Sequence, residues 1–186
     1  MHKPLTTHTA DWSEKVILED GSSQPLDSVL PAGWCLLVFF RHAECMECNL
    51  LAYNLNSIQN HFREWHIQLV GITNGKQHTI NRLRERLSIS KDIILCAHPE
   101  RVLHQKLKLH TSFLGAFGLK AIYYTLKGFY DGHLQSSIAR PMSQQSGLVL
   151  LNEQKEICWL HKSKYLGDIP SYGEMLEQIL IHKGGA

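Results

Sequence analysis

The sequence predicts an α/β fold in which a central mixed β-sheet is flanked by helices, and three observations carry the prediction. A continuous apolar run, Cys35 to Phe40, is bounded by Pro31-Ala32-Gly33 on one side and Arg41 on the other, which suits a central parallel strand covered on both faces. Beyond it, Leu51, Leu55, Ile58, Phe62 and Trp65 recur at alternating spacings of four and three, which is one stripe of an α-helix. Further apolar runs at Ile67 to Thr73 and Ile93 to Ala97 alternate with helical patterns, the order expected where strands are joined by crossover helices.

In chain order, residues 1–14 mix charged, polar and apolar side chains without a long apolar core, and they are expected to be poorly ordered. Lys15 to Leu18 reads as a short strand and Asp20-Gly21-Ser22-Ser23 as the turn after it. The central strand and the long helix follow. Ile67 to Thr73 is the second strand, ended by Asn74-Gly75, and His78 to Leu87 is a polar helix whose Arg82, Arg84 and Arg86 are expected on a solvated face. Ile93 to Ala97 is the third, closed by His98-Pro99, and Arg101 to Leu109 is a further short helix.

Phe113 to Phe129 is rich in bulky apolar and aromatic residues, with Gly115 and Gly118 allowing close approach, and is read as a helical insertion or a ligand or dimer surface. Leu134 to Ser146, with Arg140-Pro141, is expected as a surface loop. Gly147 to Leu151 and Glu156 to His161, joined by Asn152 to Lys155, predict an antiparallel hairpin. Ser171 and Glu174 form the Ser-x-x-Glu capping box of a last helix with Met175, Leu176, Ile179 and Leu180 on its apolar face. Strand, helix, strand, then hairpin and helix is the order of a thioredoxin-like fold with a helical insertion in the middle, so residues 1–186 are expected as a single thioredoxin-like domain.

Composition narrows the function. A chain of 186 residues with 44% hydrophobic content supports an ordinary core. A formal charge of +2 collects no dense basic stripe, so no nucleic-acid partner is expected. The apolar stretches are too short or too interrupted for a membrane span of about 20 residues, and no secretory signal stands at the start. Five cysteines at irregular intervals do not resemble a secreted disulfide scaffold. A reducing, cytoplasmic setting is expected.

Cys45 and Cys48 stand where the predicted central strand hands over to the helix. Free N–H groups and the positive end of the macrodipole favour a thiolate there. The spacing lets one sulfur attack a substrate and the other resolve the product as a disulfide. Cys48 falls on the apolar stripe and is expected to face the core, so Cys45 is the candidate nucleophile. Arg41 and His42 would lower its pKa and Glu44 and Glu47 would raise it. His42 is a candidate proton-transfer partner, while Cys35, Cys96 and Cys158 are expected to be packed rather than reactive. Zinc is the weaker reading, because only one Cys-x-x-Cys exists and Cys158 and His161, offset by three on a strand, would face apart. No metal or cofactor is expected.

The segment Leu36 to Leu55, LLVFFRHAECMECNLLAYNL, resembles the active-site region of peroxiredoxin-like, AhpC/TSA-type proteins, in particular the peroxiredoxin-like 2 group with its FxRxxxCxxC(R/N) pattern. Gly132 to Gln135, the Gly147 to Leu151 strand, and Leu160 to Leu176 with its Gly167-Asp168 block resemble later parts of that group. The resemblance implies a thiol-based antioxidant or redox-regulating protein in which Cys45 and Cys48 are the redox pair. It has departures. His42 stands where typical peroxiredoxins carry threonine or serine, and Arg140 lies seven residues before Gly147 rather than near that strand's start. Ser146-Gly147 replaces the cis-proline of thioredoxin, and Met46-Glu47 replaces its Gly-Pro.

Three functions are therefore carried forward. The first reduces a peroxide or related oxidant through Cys45 and Cys48, with an external dithiol restoring the pair. A second exchanges disulfides with protein substrates, as thioredoxin does. The third is a non-catalytic binding module whose Phe113 to Phe129 segment docks a partner. The sequence leaves the oligomeric state open.

Overall fold

The computed structural model describes residues 8–41, 46–109, 145–165 and 168–184, with backbone alone at 8–9 and 46–50. These residues form eight strands and five helices. In chain order they are β1 (His8–Thr9), β2 (Lys15–Ile17), β3 (Ser23–Pro25), α1 (Leu26–Val29), β4 (Trp34–Phe39), α2 (Met46–Glu64) and β5 (Ile67–Thr73). After these come α3 (Gln77–Leu87), β6 (Ile94–Ala97), α4 (Val102–Lys106), β7 (Gly147–Leu151), β8 (Glu156–Lys162) and α5 (Tyr172–Lys183). The strands make one mixed sheet in the order β1-β8-β7-β4-β5-β6-β2-β3.

β4 is central, as its unbroken apolar run predicts, but it is parallel on one side only. It pairs in parallel with β5 and antiparallel with β7. Its alternation divides the core into two layers. Leu36, Val38 and Phe40 join Leu51, Leu55, Phe62, Ile80, Leu83, Met175 and Ile179 on the side of α2, α3 and α5. Cys35, Leu37 and Phe39 join Leu26, Val70, Ile72 and Leu103 on the side of α1 and α4. The α2 stripe behaves as its spacing requires: Leu51, Leu55 and Phe62 are buried, and Ile58 and Trp65 pack against them.

Several expectations need correction. β3 has no counterpart among the predicted strands; it closes on β2 through the turn Leu18 to Ser22. Within the N-terminal stretch, His8 and Thr9 pair with β8, and Trp12 is buried with its Nε1 donating to the Lys155 carbonyl at 3.0 Å. Arg82 and Arg86 are exposed, but Arg84 is not on a solvated face. Its guanidinium meets the Glu19 carboxylate and donates to the carbonyls of Ile89 at 3.1 Å and Ile93 at 2.8 Å, because five donors on a planar fork can tie a loop that a single ammonium could not.

On α5 the capping box forms with both reciprocal bonds, and Met175 and Ile179 are buried, yet Leu180 is 59% exposed. Gln145 and Ser146, expected in a surface loop, are both fully buried. On β8 a register shift opposite Leu150 and Leu151 leaves Cys158 as an extra residue, so Cys158 and Trp159 both pack against the α2 side. The strict alternation that set Cys158 and His161 on opposite faces is therefore interrupted. Among the described residues, no three His, Cys, Asp or Glu side chains converge as a metal site, and no helix is long and apolar enough to cross a membrane. The helical insertion and Phe113 to Phe129 fall outside the described residues, as do Gly132 to Gln135.

Candidate active site

The parallel strands β4, β5 and β6 end at one edge of the sheet, and the chain leaves that edge for Cys45 and α2. Cys45, His42, Glu44 and Arg140 lie outside the described residues. Cys48 lies on the backbone of the first turn of α2, where helix N–H groups have no partners within the helix.

This edge carries a polar signature that the rest of the core lacks. The buried polar residues among those described are Arg41, Thr73, His98, His104, Gln145, Ser146 and Ser163. Arg41 follows β4, Thr73 ends β5, His98 follows β6, Gln145 and Ser146 precede β7, and Ser163 follows β8. Because β7 runs antiparallel to β4, with Gly147 opposite Phe39, and β8 antiparallel to β7, with Lys162 opposite Gly147, all of these termini meet at one edge. Buried polar groups cost free energy unless they are hydrogen-bonded. Their concentration at this edge, while the body of the sheet is apolar, sets the edge apart from the rest of the described core. The crevice beyond the carboxyl ends of parallel strands is also where open α/β sheets bind ligands.

The individual contacts are specific. Ser146 Oγ and Ser163 Oγ are 2.9 Å apart in the buried rim, and the Ser163 N–H donates to the Ser146 carbonyl at 3.1 Å. The His98 N–H donates to the Thr73 carbonyl at 2.7 Å; its Nδ1 donates to the Lys15 carbonyl at 3.0 Å and its Nε2 accepts from the Leu103 N–H at 3.4 Å. His104, on α4, places Nε2 3.3 Å from the Phe40 carbonyl, its ring edge-on to Phe39 at 5.1 Å. Burial, with smaller contributions from His98 and Arg101, pushes His104 down to about 4 against the opposing pull of the Phe40 carbonyl. The imidazole is neutral at physiological pH. The Thr73 hydroxyl and His104 Nδ1 have no hydrogen-bond partner among the described residues.

The other thiols meet a different environment. Cys35, Cys96 and Cys158 are free and buried. Burial pushes Cys96 up to about 12, and it raises Cys35, where Cys96 adds a smaller effect, and Cys158 as well. They remain thiols at neutral pH and pack as small apolar groups, as expected.

Sequence reasoning singled out Arg41 and the end of β4. It missed His104 and Thr73, and it misplaced Ser146. A signal existed: Arg41, Thr73, His98, Ser146 and Ser163 each punctuate a strand, and all five strand ends are neighbours only once the register is known.

No protein-family model matches the chain, and no curated protein sequence matches it. Solved structures do. A cysteine-to-serine mutant of Xanthomonas campestris peroxiredoxin Q superposes with a TM-score of 0.66 at 10% identity, covering 98% of each chain. The fold is the peroxiredoxin-like thioredoxin fold. Peroxidoxin BcpB of Mycobacterium tuberculosis is similar at TM-score 0.62 and 12% identity over 98% of this chain and 95% of that one. A secreted Mycobacterium tuberculosis disulfide oxidoreductase is similar at 0.56 and 10%, over 91% and 96%. At such identities the likeness concerns the peroxiredoxin-like architecture: the central mixed sheet with helices on both faces.

Proposed function

We propose that this protein is a thiol-based, peroxiredoxin-like oxidoreductase that reduces a hydroperoxide or related oxidant through Cys45 and Cys48. The observation that supports the reading is that the buried polar residues among those described gather at the edge of a peroxiredoxin-like sheet where β4 ends, with the sequence setting a Cys-x-x-Cys pair between that strand end and the first turn of α2. The Cys45 thiolate attacks the outer oxygen of the peroxide, and the O–O bond breaks. The leaving alkoxide or hydroxide takes a proton and departs as alcohol or water. Cys45 is left as a sulfenic acid. The Cys48 sulfur then attacks the Cys45 sulfur, forming a disulfide and releasing water, and an external dithiol returns two electrons and two protons. No metal or cofactor takes part. The free buried thiols suit a reducing compartment such as the cytoplasm.

A second reading, thiol–disulfide exchange on protein substrates, is favoured by the similarity to a disulfide oxidoreductase fold. Cys45 would attack a substrate sulfur and Cys48 would resolve the mixed disulfide. Stopped-flow oxidation of the reduced protein by hydrogen peroxide separates the two. Prompt loss of the Cys45 thiol supports the peroxidase. Inertness to peroxide combined with rapid reduction of insulin disulfides overturns it in favour of exchange.

A further inference from the structure

Phe40 is the last residue of the central strand region that the sheet holds. Its N–H donates to the Ile72 carbonyl at 2.8 Å. Its ring occupies the space left by Gly71, where an added Cβ would sit 2.8 Å from Phe40 Cε2. Its carbonyl takes a bond from outside the sheet, from His104 Nε2 at 3.3 Å, across 64 residues of chain. A carbonyl only accepts, so Nε2 carries the proton and Nδ1 holds the lone pair.

The helix that presents this imidazole is itself anchored. His98 Nε2 accepts the Leu103 N–H and His98 Nδ1 donates to the Lys15 carbonyl, so β2, His98, α4, His104 and Phe40 form one chain of contacts. Burying the His104 imidazole costs desolvation that a leucine at 104 would not incur. His104 is 1% exposed, with its edge on Phe39. Burial alone gives no reason for a polar ring there, whereas the Phe40 carbonyl does.

We propose that His104 is a positioning residue for the dithiol: by donating to the Phe40 carbonyl it sets the peptide from which the chain runs through Arg41 into Cys45 and α2. The inference rests on the dithiol reading above. His104 touches no substrate; it acts through Phe40. Among the described residues, the charged and titratable groups that bear on it are His98 and Arg101, and neither is acidic.

The test is the pH profile of Cys45 alkylation by iodoacetamide in the reduced full-length protein, read by peptide mass spectrometry beside a thermal melt. In H104L the profile is expected to move up by about one unit, a roughly tenfold slower reaction at pH 7, while the melt stays cooperative. H104Q, whose side-chain amide keeps an N–H donor able to serve the Phe40 carbonyl, is expected to restore the wild-type profile. A folded H104L with an unchanged profile overturns the proposal, as does an H104Q that behaves like leucine. Should leucine prevent folding, H104Q against the shorter H104N carries the same comparison, and equal profiles overturn it. If the profile shifts as expected but neither peroxide nor disulfide oxidises Cys45, the redox reading fails and the positioning role stands.

Discussion

The body of the sheet and its carboxyl edge are both buried, yet they are lined by different residue types. In the body, Cys35 and Cys96 are surrounded by Leu37, Phe39, Val70 and Ile72, and burial holds both as thiols. At the edge, strands β4 to β8 are bounded by Arg41, Thr73, His98, Ser146 and Ser163, and hydrogen bonds replace apolar contact. Both environments are buried, so exposure does not separate them. What separates them is whether backbone groups are already satisfied: inside the ladder N–H and C=O groups pair with the neighbouring strands, while at strand ends freed carbonyls such as that of Phe40 need donors. The edge is therefore where a polar side chain can be buried with a partner, and where a site can be built without weakening the core.

The strongest way to break this contrast is to exchange the roles of its cysteines. Cys45→Ser is expected to slow peroxide-dependent oxidation by at least about a thousandfold through loss of the nucleophile, read by stopped-flow fluorescence. A variant retaining the wild-type rate would place the chemistry elsewhere.

Phe62, fully buried under α2, tests the body. Phe62→Ala is expected to cost about 3–5 kcal/mol, from lost transfer free energy and the cavity left behind, measured by urea denaturation. A cost below about 1 kcal/mol, within the range of ordinary surface changes, would contradict the packing described here.

The edge should announce itself through pH. His104 is held at about 4 when folded against an ordinary 6.5, so as pH falls below 6.5 the unfolded chain takes up a proton that the folded protein refuses. Stability is expected to drop progressively between pH 6.5 and about 4, by about 3 kcal/mol in all, and to lose this component in H104L. Urea midpoints at half-unit pH steps would detect it, and identical pH slopes in wild type and H104L would exclude it.

The smallest expected effect sharpens the comparison from the other side. Cys96→Ala should cost about 1 kcal/mol, typical of a single point change, and leave the peroxide reaction unaltered. In the native reduced protein Cys96 should also resist iodoacetamide at pH 8, because burial holds it at about 12. Its labelling at the rate of an open thiol would remove the distinction between body and edge.

Periodicity and turn chemistry are local, and they made most elements legible. β4, α2, β5, the β7–β8 hairpin and the Ser171–Glu174 capping box could be read from spacing and residue type. So could the strand-to-helix handover that puts Cys48 in the first turn of α2. Arg84 and His104 could not, because nothing within a few residues of either indicates that Glu19 or the Phe40 carbonyl will arrive beside it. The bulge at Cys158 was equally hidden, since it is defined by the partner strand and not by β8. Local sequence chose which segments become strands and helices, since those preferences are settled by neighbours along the chain. Only the sheet order decided which strand ends meet, and with that which polar side chains find a partner where water is excluded.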